Sequence, residues 1–511
     1  MIPEIRNDNG IATLYVDNQP FFVCGGEIHN SSASNLAYME KKVWPMLQEM
    51  NLNTVIAPVY WETIEPEEGV FDWTLPEGLI RQAREQKMHL IFLWFGLWKN
   101  GESMYIPGWM KQNTKTYFRV RKENREVTST VSPFCEAAVE KDAAAFEKLM
   151  EHIRTVDEQR TTVIAMQVEN EIGLLGQARD YGEEAEKKFN ENIPEELYKL
   201  CEKEGNWKAA FGEAAEETFM AYYFAKAVEK IAGRGQKAYP LPCYTNAWLK
   251  QYPWYAGSYP SGGPVREVHP IWKTAAPSLF TLAPDIYVPY VTEVMDTYSY
   301  DGNPLFIPEV RKDAVTSSYC LYAFAGKNAI GYSPFGIEDL ALDPAEIEKP
   351  PMEVMLALNI DPSAFETAES RKYLKRTYEM IQQMQPLYLK YRGSEKIKSY
   401  IKRSDTDFGT YFRCETYDMV VSYRPKTKEK PLAAGVIYEL APDKFLIGGM
   451  MSSITFRAKE GQAKHVEILR MEEGEIQDGK WISGRILNGD EKMKLQFGDM
   501  PEWRYVEIYQ Y

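Results

Sequence analysis

Short apolar runs alternate with longer amphipathic stretches from the start of the chain to about residue 334. Eight of these runs are rich in β-branched or aromatic residues and are short enough to form buried parallel strands. They cover residues 21–24, 54–59, 89–95, 163–168, 241–245, 279–287, 305–307 and 329–334. Strands that alternate with helices imply right-handed βαβ units. The pattern therefore predicts an α/β fold of the (β/α)8 TIM barrel type. A doubly wound open sheet is the second choice, because no glycine-rich phosphate loop follows the first strand.

Between the apolar runs, hydrophobic positions repeat at helical spacing. Residues 36–50 show this spacing, although Pro45 must kink or restart the helix because proline has no amide hydrogen. Residues 213–231 predict another helix, and Gly233 stands where a C-cap is expected. The stretch from Lys99 to Ser132 is predicted to be a long loop at a strand end, where barrel enzymes build their pockets.

The pattern changes near residue 393 to short segments in which apolar and polar residues alternate. These segments cover residues 411–416, 419–423, 435–440, 444–447, 454–458, 465–471 and 504–509. Alternation over short segments between turn signals is typical of an all-β sandwich. We therefore expect two domains, a barrel over residues 1–392 and a C-terminal β-sandwich-like domain over residues 393–511.

Charge excludes several classes of partner. The 511 residues include 59 Lys and Arg against 74 Asp and Glu, which gives a net charge of −15. This balance disfavours nucleic acid and anionic membrane surfaces. The chain opens MIPEIRNDNG, without the basic and apolar regions of a signal peptide, and its apolar runs are too short to span a bilayer. The expected location is the cytoplasm, where six scattered cysteines would remain free thiols.

Cofactor chemistry has no support in the sequence. The five histidines lack metal-ligand spacing, and the chain has no phosphate-binding loop. We expect neither a metal nor an organic cofactor. Aromatic residues make up 13% of the chain, including 12 Trp and 33 Tyr. Such flat amphipathic rings stack well on sugars, although large cores also contain them.

Two carboxylates stand at the ends of predicted strands. The fourth strand leads into Glu169-Asn170-Glu171, and the seventh leads into Pro308-Glu309. Both would lie at the carboxyl-terminal rim of the barrel, where such folds hold their catalytic groups. Hydrolysis of a glycosidic bond needs one carboxylic acid to protonate the leaving oxygen and a second carboxylate across the sugar. A separation of about 5–5.5 Å would make the second carboxylate a nucleophile and retain the anomeric configuration.

Several motifs resemble those of a known family. Residues 167–173, QVENEIG, are similar to the QVENEYG signature of glycoside hydrolase family 35 β-galactosidases. Residues 26–29, GEIH, and residues 52–72, with LNTV, Trp61 and EPEEGVFD, resemble that family's first- and second-strand segments. Family 42 β-galactosidases are similar at the second strand, and the Asn-Glu pair is shared by all of clan A. The resemblance covers roughly residues 15–340.

The resemblance implies a role for each residue of the centre. Glu171 would be the general acid/base, with its pKa raised by burial and by the second carboxylate. Glu309 would be the nucleophile, and Asn170 would donate to the sugar 2-hydroxyl, a contact that strengthens in the transition state. Tyr287, at the end of the sixth strand, would assist the nucleophile.

Further substrate contacts are predicted at the ends of the first, second, third and fifth strands, namely Glu27, His29, Trp61, Trp98, Lys99 and Trp248. Trp248 and Trp254 could together form a sugar-stacking wall. The family recognises galactose partly through a third-strand carboxylate in a Cys-Ala-Glu-Trp segment. Residues 95–100, FGLWKN, have no acid at the matching place, so the motifs specify the chemistry better than the sugar.

These features together predict a retaining exo-glycoside hydrolase. It would be a β-galactosidase that releases terminal β-linked galactose from oligosaccharides by double displacement with two Glu. A β-glucosidase or an α-L-arabinopyranosidase could use the same groups. From a different class, the chain could be a non-catalytic carbohydrate-binding protein on a decayed barrel. The expected partner is a small carbohydrate, and the resemblance also allows a homo-oligomer.

Overall fold

The computed structural model describes residues 1–460 and 465–511. Within residues 1–460, eight parallel strands close into a barrel in which each strand pairs with the next and the last pairs with the first. They are β1 (Val23–Glu27), β2 (Thr54–Tyr60), β3 (His89–Lys99), β4 (Val163–Asn170), β5 (Cys243–Trp248), β6 (Leu279–Ile286), β7 (Phe306–Val310) and β8 (Gly331–Pro334). The predicted TIM barrel is confirmed.

Helices cover the outside of the barrel. The principal ones are α1 (Thr74–Glu85), α2 (Glu136–Asp157), α3 (Ala215–Ala238), α4 (His269–Ala275), α5 (Val291–Tyr298), α6 (Thr316–Lys327) and α7 (Ser370–Tyr391). Shorter helices span Trp61–Ile64, Gly108–Gln112, Glu183–Asn190, Glu195–Cys201, Trp207–Phe211 and Met352–Ala357. An antiparallel pair, Arg119–Arg121 with Val127–Val131, lies within the segment predicted to be a loop. A small antiparallel sheet of Glu4–Asp8, Ile11–Val16 and Gln19–Pro20 precedes β1.

Proline interrupts the first helical segment as expected. Residues Met39–Val43 form a π-helical turn, and a new helical turn begins at Trp44 with Pro45 in its first positions. Proline is tolerated there because the first amides of a helix have no acceptor in the preceding turn.

The predicted C-cap at Gly233 is wrong, because α3 continues through it to Ala238. The glycines of this segment serve packing instead. A Cβ atom at Gly235 would lie 2.4 Å from Phe146 Cε1 on α2, and one at Gly233 would lie 3.2 Å from Ser278 Oγ. The absence of a side chain at Gly235 therefore lets α3 and α2 approach closely.

The C-terminal region is an all-β domain, as predicted. Its described residues form β9 (Ile397–Ile401), β10 (Gly409–Arg413), β11 (Tyr417–Tyr423), β12 (Ala434–Ala441), β13 (Lys444–Met450), β14 (Ser452–Ala458), β15 (Val466–Gln477), β16 (Lys480–Ile486), β17 (Leu495–Gln496) and β18 (Glu502–Gln510). One antiparallel sheet has the order β9-β12-β13-β18-β15-β16, and the other has the order β10-β11-β14-β17. Apolar side chains of both sheets, such as Ile447 and Val421, share one core.

Helix α7 connects the two regions and packs on the barrel. The buried Tyr378 hydroxyl donates to the carbonyl of Gly25 at 2.7 Å and to that of Tyr332 at 3.0 Å. Those carbonyls belong to β1 and β8, so α7 covers the seam where the barrel closes. A second link joins α6 to the chain before β12, where Ser318 Oγ donates to the Leu432 carbonyl at 3.0 Å.

The six cysteines are free thiols, and five of them are buried. No helix in residues 1–460 or 465–511 has the length and apolar character needed to cross a bilayer.

Candidate active site

A cavity of about 210 Å³ opens at the carboxyl-terminal rim of the barrel. Glu171 and Glu309 both line it, so the structure brings the two predicted catalytic carboxyls together. Side chains from the strand ends and the following loops complete the lining: Asn30, Lys99, Asn100, Trp248, Leu249, Gln251, Asp285, Tyr287, Val288, Phe335, Leu358, Asn359, Ile360 and Phe365. Three predicted substrate contacts, Lys99, Trp248 and Tyr287, are among them.

An unusual backbone turn presents Glu171 to the cavity. Glu169 has a φ of 63° and Glu171 a φ of 46°, both in the left-handed region that non-glycine residues rarely occupy. Glu169 points into the wall, where its carboxylate accepts from the amides of Leu97 at 3.0 Å and Trp98 at 2.7 Å. The Glu171 amide donates to Asn246 Oδ1 at 2.9 Å. The turn thus separates two nearby glutamates into a structural one and one that lines the cavity.

The surroundings of Glu171 favour its protonated form. Burial raises its pKa to about 8, and the nearby Glu309 carboxylate also raises it. The positive charge of Lys99 and a hydrogen bond with Asp285 act in the opposite direction. Because its pKa lies above neutrality, Glu171 carries a proton at pH 7 and can act as a general acid.

Glu309 lies in β7 with a different set of partners. Tyr287 Oη donates to Glu309 Oε1 at 2.5 Å, and the Tyr287 ring stacks on Phe365 with 5.5 Å between centroids. Burial raises the pKa of Glu309, whereas Lys99 and the Tyr287 hydrogen bond lower it. The hydroxyl and the ammonium thus both stabilise the ionised form that a nucleophile needs.

Asn170 belongs to a network of amides beneath the cavity. Its Nδ2 donates to Asn100 Oδ1 at 3.0 Å, and Asn100 Oδ1 also accepts from Lys99 Nζ at 2.9 Å. Asn170 Oδ1 accepts from Asn246 Nδ2 at 3.1 Å. Asn246 Nδ2 also donates to Asp285 Oδ2 at 2.6 Å. These bonds connect β3, β4, β5 and β6 and fix the side chains around Glu171.

Sequence reasoning missed Asp285 and Asn246. Asp285 lines the cavity, is 3% exposed and shares a hydrogen bond with Glu171. Burial and the neighbouring carboxylates, Glu309 first among them, raise the pKa of Asp285 well above its usual value. The available signal was an acidic residue inside an otherwise apolar strand, since a buried carboxyl is costly without a partner.

Glu27 lies deeper than the cavity lining. It is 1% exposed at the end of β1, and burial raises its pKa well above the usual value. Glu309 and Glu171 raise it further and Lys99 lowers it, which shows that Glu27 lies close to the same group of charges.

His29 faces a neighbouring cavity on the other side of the β1 loop. Its Nε2 lies 2.9 Å from Asp339 Oδ1, and its amide donates to Glu338 Oε1 at 3.0 Å. No group of His, Cys, Asp and Glu side chains in residues 1–460 and 465–511 is arranged to hold a metal ion.

Trp61 and Trp98 lie outside this cavity, Trp61 in the short helix after β2 and Trp98 in β3. The Trp61 indole donates to Glu65 Oε2 at 2.8 Å, and the Trp98 indole donates to the Val131 carbonyl at 2.9 Å. Both side chains are fully buried. Side chains alternate along a strand, so Lys99 points inward where its neighbour Trp98 points outward against Phe224 of α3.

Comparisons with known families agree with the barrel and its motifs. Residues 13–252 match the model of glycosyl hydrolases family 35, and residues 374–498 match a domain of unknown function, DUF5597. The first match includes Asn170 and Glu171. With the closed barrel, this match supports the predicted resemblance to glycoside hydrolases of clan A. The chain is similar to family 35, as its motifs predicted.

Solved structures of β-galactosidases are similar to this chain at low sequence identity. The β-galactosidase of Bacillus circulans sp. alkalophilus is 10% identical with a TM-score of 0.51, and the alignment covers 95% of this chain and 99% of that one. The β-galactosidase of Rahnella sp. R3 is 12% identical with a TM-score of 0.45, over 61% of this chain and 50% of its own. This chain thus spans half the length of the Rahnella enzyme. No curated protein matches the sequence.

Proposed function

We propose that this protein is a retaining exo-β-glycosidase, a β-galactosidase that releases terminal β-linked galactose from oligosaccharides. The observation that carries the proposal is the unequal environment of two carboxyls in one cavity. Glu171 is protonated at neutral pH, whereas Tyr287 and Lys99 stabilise the ionised form of Glu309. An acid and a nucleophile need this difference.

The reaction proceeds in two displacements. In the first, the Glu309 carboxylate attacks the anomeric carbon, Glu171 gives its proton to the glycosidic oxygen, and the bond between that carbon and oxygen breaks. The product is a glycosyl ester of Glu309. In the second, the Glu171 carboxylate takes a proton from water as the water oxygen attacks the same carbon. The ester bond breaks, the sugar leaves, and both carboxyls return to their starting states.

The size of the cavity supports attack at a chain end. Its volume of about 210 Å³ is below the roughly 300–1,000 Å³ of typical ligand pockets, so it suits a single sugar ring. Lys99, Asn100 and Asp285 supply hydrogen-bonding groups for the hydroxyls of that ring.

Galactose is the favoured sugar because the sequence match is to family 35. A β-glucosidase or an α-L-arabinopyranosidase remains the alternative, since Lys99 stands near the place where the family has an acid. A decayed carbohydrate-binding barrel is disfavoured because Glu171 and Glu309 are both present and line the same cavity.

The test is a panel of p-nitrophenyl glycosides with β-galactose, β-glucose, α-L-arabinopyranose and β-mannose. We expect the β-galactoside to be cleaved fastest and Glu309→Gln to lose this activity. Glu213→Gln, which alters an exposed glutamate on the barrel surface, is the matched control. A wild-type protein that releases nitrophenol from no member of the panel would be a binder, and the proposal would be wrong.

A further inference from the structure

A second cavity, of about 370 Å³, lies beside the catalytic one. Leu249 lines both cavities, which share two loops. The loop after β5 gives Gln251 to the catalytic cavity and Trp254 to the second. The loop after β6 gives Tyr287 to the first and Tyr290 to the second. We call the second one the aromatic cavity; its lining is Leu249, Lys250, Trp254, Arg266, Glu267, Tyr290, Glu293, Val294, Thr297 and Tyr298.

Aromatic rings are exposed on this side of the catalytic site. Trp254 is 54% exposed and Tyr290 is 39% exposed, and Tyr252 and Tyr255 on the same loop are also exposed. A cluster of large exposed apolar rings commonly marks a binding surface. Rings with one apolar face and a polar edge suit ligands that present both C–H and O–H groups.

The charges that line the aromatic cavity balance one another. Lys250 Nζ lies 3.2 Å from Glu267 Oε1, and the Arg266 guanidinium lies over the Tyr300 ring, 4.4 Å from its centroid. With Glu293, the lining has two cations and two carboxylates. A balanced and strongly polar surface between aromatic rings fits a neutral polyhydroxyl ligand better than an ion.

Hydrogen bonds hold the aromatic loop against the catalytic cavity. The Trp254 amide donates to the Gln251 carbonyl at 2.8 Å, and Asn359 Nδ2 donates to the Tyr252 carbonyl at 2.7 Å. Gln251 and Asn359 both line the catalytic cavity. Trp254 is therefore fixed next to that cavity and does not lie at the tip of a free loop.

The residue proposed as the general acid contacts the strand that leads into the aromatic loop. Glu171, which protonates the leaving oxygen in the proposed reaction, is bonded through its amide to Asn246 of β5. The loop that carries Trp254 follows β5 directly. We propose that the aromatic cavity binds the leaving-group saccharide, the second sugar of a neutral β-linked oligosaccharide, with its ring stacked on Trp254. This inference rests on the proposed function and adds to it the place where the second sugar of the oligosaccharide binds.

The test compares a substrate that has a second sugar with one that has none. β-1,4-Galactotriose and β-galactosyl fluoride present the same sugar to Glu309, but the fluoride leaves the aromatic cavity empty. We expect Trp254→Ala to lower kcat/KM for the triose about 10-fold more than for the fluoride, and Trp254→Tyr to restore most of the difference. Tyr411→Ala, at an exposed ring on the C-terminal sheet, should change neither substrate.

Calorimetry on Glu309→Gln measures binding without hydrolysis. Weaker triose binding in the Glu309→Gln, Trp254→Ala double variant supports the aromatic cavity even if the wild type hydrolyses nothing, in which case only the proposed function fails. Equal losses on both substrates, or none, overturn the inference while leaving the glycosidase intact. If Glu309→Gln does not bind the triose and the wild type does not cleave it, both the proposed function and the aromatic-cavity inference are wrong.

Discussion

The Tyr287 hydroxyl donates a 2.5 Å hydrogen bond to Glu309 Oε1, while burial and the Glu309 charge raise the pKa of the other proposed catalytic carboxyl, Glu171. Two carboxyls in one buried cavity would otherwise compete for the same proton. Burial and the Glu309 charge favour the protonated form of Glu171, whereas the Tyr287 hydrogen bond favours the ionised form of Glu309.

Replacing Tyr287 by Phe should move the acidic limb of kcat/KM to higher pH. The lost hydrogen bond lowers the pKa of Glu309, so its removal raises that pKa, and the nucleophile ionises only at higher pH. A hydrogen bond to a charged group contributes about 1.5–3 kcal/mol, so activity below neutrality should fall about 10- to 100-fold. A pH profile with an unchanged acidic limb would contradict the assignment of Tyr287.

Glu171→Gln should separate substrates by leaving group. Without a proton donor, substrates with a basic leaving group should lose about 10²–10⁴-fold in kcat, whereas a 2,4-dinitrophenyl glycoside needs no proton and should lose far less in the first displacement. In the wild type, activity should decline above about pH 8, because Glu171, whose pKa is about 8, loses its proton there. Equal losses on both leaving groups would mean that another residue is the acid.

Lys99→Met should shift both limbs of the pH profile to higher pH. The ammonium lowers the pKa of Glu171 and of Glu309, so its removal raises both. Glu309 then ionises later, and Glu171 keeps its proton to higher pH. Lys99→Arg, which keeps the charge, is the control. A profile in which only one limb moves would show that Lys99 acts on a single carboxyl.

The stereochemistry of the reaction can be observed directly. A nucleophilic Glu309 gives two inversions, so the first methyl glycoside formed in methanol should have the β configuration. Time-resolved proton NMR of the anomeric signals distinguishes the two products. An α product at the earliest times would make Glu309 a general base and the enzyme inverting.

Gly235→Ala should destabilise the barrel by about 1–3 kcal/mol, because the added methyl would lie 2.4 Å from Phe146 Cε1 in a packed helix interface. Gly233→Ala is the matched control two residues away, where the nearest atom is the Ser278 oxygen at 3.2 Å. Thermal melting midpoints should therefore fall more for Gly235→Ala. Equal midpoints would show that α2 and α3 can move apart at little cost.

The fold could be predicted well because its strands are short apolar runs separated by helical patterns. The same pattern located Glu171 and Glu309, since each directly follows the apolar core of a strand. Asp285 was missed because it lies within the apolar run at residues 279–287, and the direction of a side chain within a strand depends on register. Asn246 directly follows the run at residues 241–245 but, unlike Glu171 and Glu309, has no carboxyl that would indicate catalysis.

For neighbouring residues at a strand end, the sequence likewise does not determine which side chain points into the cavity. Trp98 and Lys99 were equally plausible contacts in the sequence, yet the pleat sends one outward and the other into the cavity. Gly233 met the rule for a C-cap, but contacts between α3 and the rest of the barrel decide where the helix ends.

Helix α7 forms contacts that join the C-terminal region to the barrel. The match to the domain of unknown function begins at residue 374, inside α7, and Tyr378 of that helix bonds the strands that meet at the barrel seam. A recombination event that exchanged this region between two glycosidases would also replace the helix that bonds β1 and β8, where the barrel closes. The two parts are therefore expected to unfold in one cooperative step and to be inherited as a pair.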